Sequence, residues 1–549
     1  MSSELKIVNG RVYDPKNNID GKVQDVYVRD GKIVESVSSS ATKIDAHGMV
    51  VMPGAVDIHC HIAGPKVNLA RKLQPEDHRL DVHPKTAVTR SGTGGVVPST
   101  FATGYRYATM GYTTAMEAAV PPITARHVLE ELDDTPVIDK GFYVLLGNNA
   151  FLYKLLKEGR KKEFQEAVAW WIDSVHGYAL KLVNPGSDEL WKGRKNANIT
   201  DVNEKIDHYD ITPMHVIESF IEAADELGLP HPPHIHCNNL GHSGNISTTL
   251  DTMKAAEGRR VHMAHIQFHS FGGEINKNAV SGVKPIIDFI NANENITTDV
   301  GQVMFGKATA MTADAPLAWM LRNVKFNKWV NADTECESGC GIIPFSYQES
   351  VYTHALQWAM GLELFLMSKD PWRVLLSTDH PNGGSFMSYP KLIKLLMDSA
   401  YRKEAIEHVN QKAINKTVLR ELTREYTLSE IAIITRAGPA RALGLENKGH
   451  LGRGADADIT IYTEEEDKEQ MFNAPRYVIK DGVLVIKDHE FATDHKGKIL
   501  HCKPGYNADI ADEIEPFFED YYSVKFSNYA VSEDYLHHHE VIPTHPKDS

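Results

Sequence analysis

The sequence predicts an α/β fold: a closed barrel of parallel strands in the middle of the chain, and a small β domain assembled from both ends. Three observations predict it. Helical and strand patterns alternate through the middle, which implies a parallel sheet. Short strands with tight turns fill the first fifty residues and return after residue 450. Histidines, a lysine and an aspartate stand at the polar ends of strand-like runs from residue 59 to residue 379. A closed barrel gathers such ends at one mouth, where barrel sites form, better than an open sheet does.

Taken in order, the first elements are strands over Leu5–Val8, Val26–Val28, Lys32–Ser36 and Ile44–Asp45, punctuated by Asn9-Gly10, Asp30-Gly31 and His47-Gly48. Next comes Val51-Met-Pro-Gly54, then Asp57-Ile-His-Cys-His61. Two histidines at i and i+2 on a strand point the same way and can grip one metal ion. Ser91 to Tyr112 is Gly-rich and reads as a flexible loop over the barrel mouth. Phe164–Val175 reads as a helix that Gly177 ends, and Tyr178–Val183 is a strand carrying Lys181. Thr212 is an N-cap before Pro213, and Val216, Ile217, Phe220, Ile221 and Ala224 repeat at helical spacing. Gly228 and Pro230 stop that helix, and the strand Pro233–Asn238 follows at once. His262–His269 and Val374–Pro381 are further strand-like runs. His450–Tyr462 and Tyr477–Ile486 return to strand and hairpin texture. The expected division is 1–52 and 446–495 for the two parts of the small β domain, 53–445 for the barrel, and 496–549 for a C-terminal extension. In that extension, Phe517, Phe518, Tyr521, Tyr522 and Phe526 are expected to pack on the body or a partner, and His537–His539 to form a solvated tail.

Composition narrows the function. The chain has 549 residues, 42% of them hydrophobic, enough for a barrel and a second domain. Its net charge of −15 argues against nucleic acid or an anionic membrane as partner. The N-terminus lacks a signal-peptide core, and no apolar stretch is long enough to span a bilayer; a cytoplasmic location is expected. Five cysteines, Cys60, Cys237, Cys336, Cys340 and Cys502, are scattered and odd in number, which excludes a disulfide framework. Cys336-x-x-x-Cys340 has no second pair, so no iron–sulfur chemistry is expected in this chain.

Longer segments carry a resemblance. Pro98–Ala119, Gly147-Asn-Asn149, Lys181–Pro185, His236–His242, Gln267–Ser270 and Tyr521-Tyr-Ser-Val524 closely resemble the A-type subunit of formylmethanofuran dehydrogenase and that of the related formyltransferase/hydrolase complex. These belong to the amidohydrolase superfamily. The resemblance implies an amidohydrolase-type (β/α)8 barrel with a small β-sandwich domain formed from both termini. It also implies two zinc ions bridged by Lys181 in N6-carboxylated form, because the ordered set His-x-His, Lys, His, His, Asp matches the superfamily's binuclear pattern. His59, His61 and Asp379 would hold one zinc, and His236 and His265 the other. His234 shares a strand face with His236, which is preferred because it lies nearer the strand's carboxyl end. His262 and His269 compete with His265, where the matched strand ends. Asn149, Asn238 and His380 are candidate substrate contacts. Asp379 would also move the proton.

The implied reaction is hydrolysis of the formamide of a formyl-methanofuran-type (or methylofuran-type) C1 carrier to formate and the free amine, with partner subunits of the B, C and D types. Thr378-Asp-His-Pro-Asn382 stands where the archaeal pattern has Thr-Asp-Ser-Pro-Asn, and Thr249–His262 is shorter. Both suit the bacterial methylotroph branch, which is favoured. Three alternatives stand beside it. The first is the dehydrogenase complex, condensing formate with methanofuran beside a separate tungsten or molybdenum subunit. The second is a non-catalytic scaffold. The third is a hydantoinase-type hydrolase, which shares the metal pattern but not the long segments.

Overall fold

In a computed structural model, residues 4–193, 199, 201–274, 277–324, 330–331 and 341–547 are described. Eight strands pair in parallel and in chain order: Ala55–Cys60, Tyr112–Val120, Asp139–Leu145, Ala179–Val183, His234–His236, Val261–Met263, Ile296–Asp299 and Val374–Leu375. Every residue of the first five is buried, as strands covered on both faces require. The curl closes where Cys60 bridges His380 in parallel and the His61 amide donates to the His380 carbonyl at 2.7 Å.

Helices between the strands follow their local signals. Pro213–Glu226 begins where the Thr212 side chain accepts from the His215 amide, and it buries Val216, Ile217, Phe220 and Ile221. The helix before the Lys181 strand spans Lys161–Ser174. The Gly-rich stretch differs from its expected loop. From Thr100 to Thr109 it is a helix buried over most of its length. Gly104 is required there, since a Cβ would lie 2.1 Å from the Pro136 carbonyl oxygen. The chain then enters the second barrel strand directly.

Between the seventh and eighth barrel strands the alternation breaks. Gly306–Thr312 and Gly341–Tyr347 pair antiparallel, with the helix Ala315–Val324 between them. This segment forms a roof beside the carboxyl ends of the barrel strands. Cys336 and Cys340 lie outside the described residues, whereas Cys60, Cys237 and Cys502 are buried free thiols.

Both ends of the chain build one nine-stranded sheet. Its seam is Met49–Pro53 against Ile459–Thr463, antiparallel, with Pro53 opposite Ile459. Ile7, Val12, Val28, Val51, Ile459 and Ile479 share its core. A buried ion cluster joins this sheet to the barrel. Lys448 lies 2.5 Å from Asp139, 2.9 Å from Asp456 and 3.0 Å from Asp458. Lys480 reaches Asp139, Asp458 and Asp481 at 3.0, 3.0 and 2.8 Å.

The C-terminal stretch is tied to the barrel rather than a free tail, although His537, His538 and His539 stay exposed. Ile499–Cys502 and His539–Ile542 pair in parallel and attach to the third barrel strand through Lys140 and Ile499. Strand pairing takes up His539, whose Nδ1 lies 2.9 Å from His501 Nε2, and His537 Nδ1 lies 3.0 Å from an Asp133 oxygen. The aromatics cover the helix Lys161–Ser174. Phe526 stacks on Trp170 at 5.5 Å, and Trp171 Nε1 donates to the Tyr529 hydroxyl at 3.1 Å. Among the described residues, no helix is long and apolar enough to cross a membrane.

Candidate metal centre

Strand periodicity and barrel closure together place the donors. His59 and His61 end the first strand, with Nε2 atoms 3.0 and 3.2 Å from Asp379 Oδ1, beyond the eighth. Lys181 on the fourth strand, His236 ending the fifth and His265 after the sixth complete the wall of the same cavity. The cavity measures about 380 Å³, and Leu240, Phe268, Met311, Leu317 and Phe345 make its far side apolar.

The arrangement fits divalent metal ions. His59, His265 and Asp379 each offer an atom within 4.8 Å of the others, and so do His236, His265 and His269. Lys181 Nζ and His265 Nδ1 are buried without a hydrogen-bond partner, an expensive state for a polar atom unless a ligand takes it up. Burial keeps His236 and His265 well below their ordinary pKa and so neutral, as metal-binding imidazoles need to be. Burial also pushes the Lys181 ammonium down, to about 8, against the pull of Asp379 and Asp299. For Asp379, burial would raise the pKa, but His59 and His265 outweigh it and hold the carboxyl well below the usual range.

Behind the donors stand groups with no sequence signal of their own. His59 Nδ1 donates to Asp299 Oδ2 at 3.0 Å, and His61 Nδ1 to Glu117 Oε1 at 2.8 Å. Each pairing turns the opposite nitrogen toward the cavity and fixes the ring. Asp299 also accepts from His262 Nε2 at 3.1 Å and from the His265 amide at 3.0 Å. Asp57 accepts from the His59 amide and from the hydroxyls of Tyr107 and Tyr389. Asp299 ends the strand Ile296–Asp299, whose Thr297 and Thr298 lack the apolar lead-in that marks Asp379. Glu117 lies inside the Pro98–Ala119 segment but at no metal-type spacing.

Of the spare histidines, His234 and His262 find other places, whereas His269 stays beside His236 and His265 as a candidate ligand. His262 bonds Asp299. His234 sits in a row, with Nε2 3.1 Å from His59 Nδ1 and Nδ1 3.1 Å from His231 Nε2; His231 Nδ1 meets the Ala442 carbonyl at 2.7 Å. His269 stacks on His265 at 5.2 Å.

The three expected substrate contacts are not among the cavity-lining residues. Asn149 caps the helix Ala150–Lys157, accepting from the Leu152 amide. Asn238 is buried, its amide donating to Asn184, Pro185 and Ser187. His380 is buried in the strand closure and accepts from the Phe386 amide. Each is engaged by its neighbours instead: Asn149 and His380 by backbone amides, Asn238 by the Asn184 and Ser187 side chains and the Pro185 carbonyl. Cavity positions that the sequence did not suggest include Lys66, Tyr347, Gln357 and Asn382.

Comparison with known proteins agrees with this geometry. The amidohydrolase family model matches residues 42–486. The chain is 44% identical to protein FwdA of Methanocaldococcus jannaschii, covering 98% of both chains. It is 36% identical to the A-type subunit of the formyltransferase/hydrolase complex Fhc of Methylorubrum extorquens, covering 96% of both. The crystal structure of that FhcABCD complex with methylofuran contains a chain that superposes with a TM-score of 0.92 at 35% identity, covering 99% of this chain and all of that one. The chain therefore belongs to the amidohydrolase family and, within it, to the group that contains FwdA and the Fhc A-type subunit.

Proposed function

We propose that the chain hydrolyses the formamide of a formyl-methanofuran-type or methylofuran-type C1 carrier to formate and the free amine, as the A-type subunit of a larger complex. The observation that carries this reading is the convergence of His59, His61, Lys181, His236, His265 and Asp379 on one cavity, in a chain similar from end to end to the Fhc A-type subunit.

In this reading His59, His61 and Asp379 would hold one zinc and His236 and His265 the other, and Lys181, once carbamylated, would supply the anionic ligand that the pair needs. The lowered pKa of Lys181 enlarges its neutral fraction; the amine adds to CO₂, loses a proton and becomes an anion on a long arm. Bound there, the metal pair supplies Lewis acidity, making a water acidic near neutral pH and polarising the formyl oxygen. Asp379 does the proton work. Its Oδ1 faces His59, His61 and the Asn382 amide, so Oδ2 takes the proton from the attacking water and delivers it to the departing nitrogen. The apolar far wall keeps bulk water from the acyl carbon and receives the body of the carrier.

A second reading runs the step in reverse, condensing formate with the carrier beside a separate tungsten or molybdenum redox subunit. The higher identity to the archaeal protein, 44% against 36%, favours it. Purification of the native complex, with a subunit list, metal analysis and a formate-release assay, tests both. Zinc with formate release and no tungsten, molybdenum or iron supports the hydrolase complex, and redox metals in the same particle support the second reading. A complex without zinc that releases no formate rejects both.

A further inference from the structure

The roof touches the donor set at two points on different sides of the cavity. Asp314, 2% exposed, lies between the roof strand Gly306–Thr312 and the helix Ala315–Val324. Its Oδ1 accepts from the Leu317 amide at 2.8 Å, and its Oδ2 accepts from His236 Nε2 at 3.1 Å. Asn382 makes the second link. Its Oδ1 accepts from the Met311 amide of the roof strand at 2.7 Å, while its Nδ2 donates to Asp379 Oδ1 at 2.9 Å. The other roof strand joins at the same place, where the Tyr347 hydroxyl donates to the Asn382 carbonyl at 3.1 Å.

His59 and His61 have their far nitrogens fixed by carboxylates of the barrel itself, Asp299 and Glu117, both on barrel strands. The far nitrogen of His236 is fixed by a carboxylate that the barrel does not supply. We propose that Asp314 and Asn382 are positioning residues through which the roof forms part of the metal centre: Asp314 aims Nδ1 of His236 at the cavity, and Asn382 holds Asp379. The inference rests on the metal reading above and adds a coupling to it. The metals held by His236 and by Asp379 would stiffen Met311 to Leu317 from both ends, and a roof held closed presents both donors in register. The roof residues Met311, Leu317 and Phe345 line the same cavity, so metal loading would also shape the pocket that receives the carrier.

The test uses the full chain in its native complex. Asp314→Ser keeps a residue that can accept from the Leu317 amide but is too short to reach His236. Zinc affinity is measured by chelator competition and folding by thermal melting, with hydrogen exchange at the Met311 and Leu317 amides recorded with and without zinc. Loss of such a partner typically weakens metal binding about 10–100-fold, and that loss is expected here with the melting temperature little changed. Both amides are expected to exchange faster once zinc is stripped from the wild type. Unaltered affinity in a folded Asp314→Ser protein overturns the proposal. So does exchange at both amides that ignores zinc, a wild-type measurement that stands even if the variant fails to fold. A wild-type complex that holds no metal pair fails earlier and separately, at the metal reading itself.

Discussion

At the scale of single residues, the proposed reaction asks most of Asp379. Asp379→Asn keeps the shape and one oxygen but cannot carry a proton, so formate release is expected to fall by at least about 10²–10⁴-fold while much of the zinc stays bound. Near wild-type turnover in a metal-loaded variant would refute the shuttle. Lys181→Ala is expected to lose the metal pair, and a short carboxylic acid to restore part of it; two metals and full activity without added acid would exclude the carbamate. His59→Ala should lose metal and activity together, checked by elemental analysis beside the assay. Much of this donor set was legible because the period-two rule puts His59 and His61 on one strand face, and because Lys181 and Asp379 stand out at the ends of apolar runs. Glu117, Asp299 and Asp314 were not legible. Each is a single carboxylate whose partner histidine is distant in sequence, so only barrel register or the roof brings the pair together.

Among elements, the joint between the terminal sheet and the barrel depends on buried charge. Lys448 and Lys480 sit among Asp139, Asp456, Asp458 and Asp481 with almost no access to water. Removing one member strands its partners, so Lys480→Met is expected to cost about 3–5 kcal/mol, read from denaturant unfolding at neutral pH; an unchanged midpoint would show that the cluster is not a fastening. Burial works against the charges, but the lysines hold Asp139 below the usual carboxylate range, His495 together with the lysines does the same for Asp481, and the aspartates hold both lysines above theirs. The aspartates' contribution is therefore complete above their unfolded pKa, about 3.9, and is lost as pH falls through the lower folded values. The lysines' contribution is complete below about 10.4 and is lost as pH rises through the higher folded values. Stability measured from pH 7 downward should drop more steeply in the wild type than in a Lys448→Met/Lys480→Met protein. The hairpins of the terminal sheet could be read from their turn residues, whereas the cluster could not: Asp456 and Asp458 look like turn punctuation until Asp139 arrives from the barrel.

For the whole molecule, the C-terminal stretch matters more than its sequence suggests. Phe518 is fully buried and packs with Phe526 and Tyr529 over the helix that carries Trp170 and Trp171. Phe518→Ala should cost about 3–5 kcal/mol, checked by chemical denaturation, and a loss within about 0.5 kcal/mol, the range of an ordinary surface change, would mean that the stretch is only draped on the barrel. Helix–strand alternation revealed the barrel, but the roof and the two appended strands stayed hidden because neither follows that alternation. The row of histidines under the metal centre has one further consequence. The Ala442 carbonyl can only accept, so His231 Nδ1 carries a hydrogen. Burial keeps His231 and His234 neutral, so His231 Nε2 is a bare lone pair and His234 Nδ1 is the group that donates to it. His234 Nε2 is then bare in turn, and the hydrogen on His59 Nδ1 is shared between it and Asp299. In a neutral His59 this leaves Nε2 bare toward the cavity. The tautomer of the cavity-facing His59 imidazole is thus set from the Ala442 carbonyl at the other end of the row, and no ring can reverse its direction without leaving that carbonyl or a neighbouring ring without its donor.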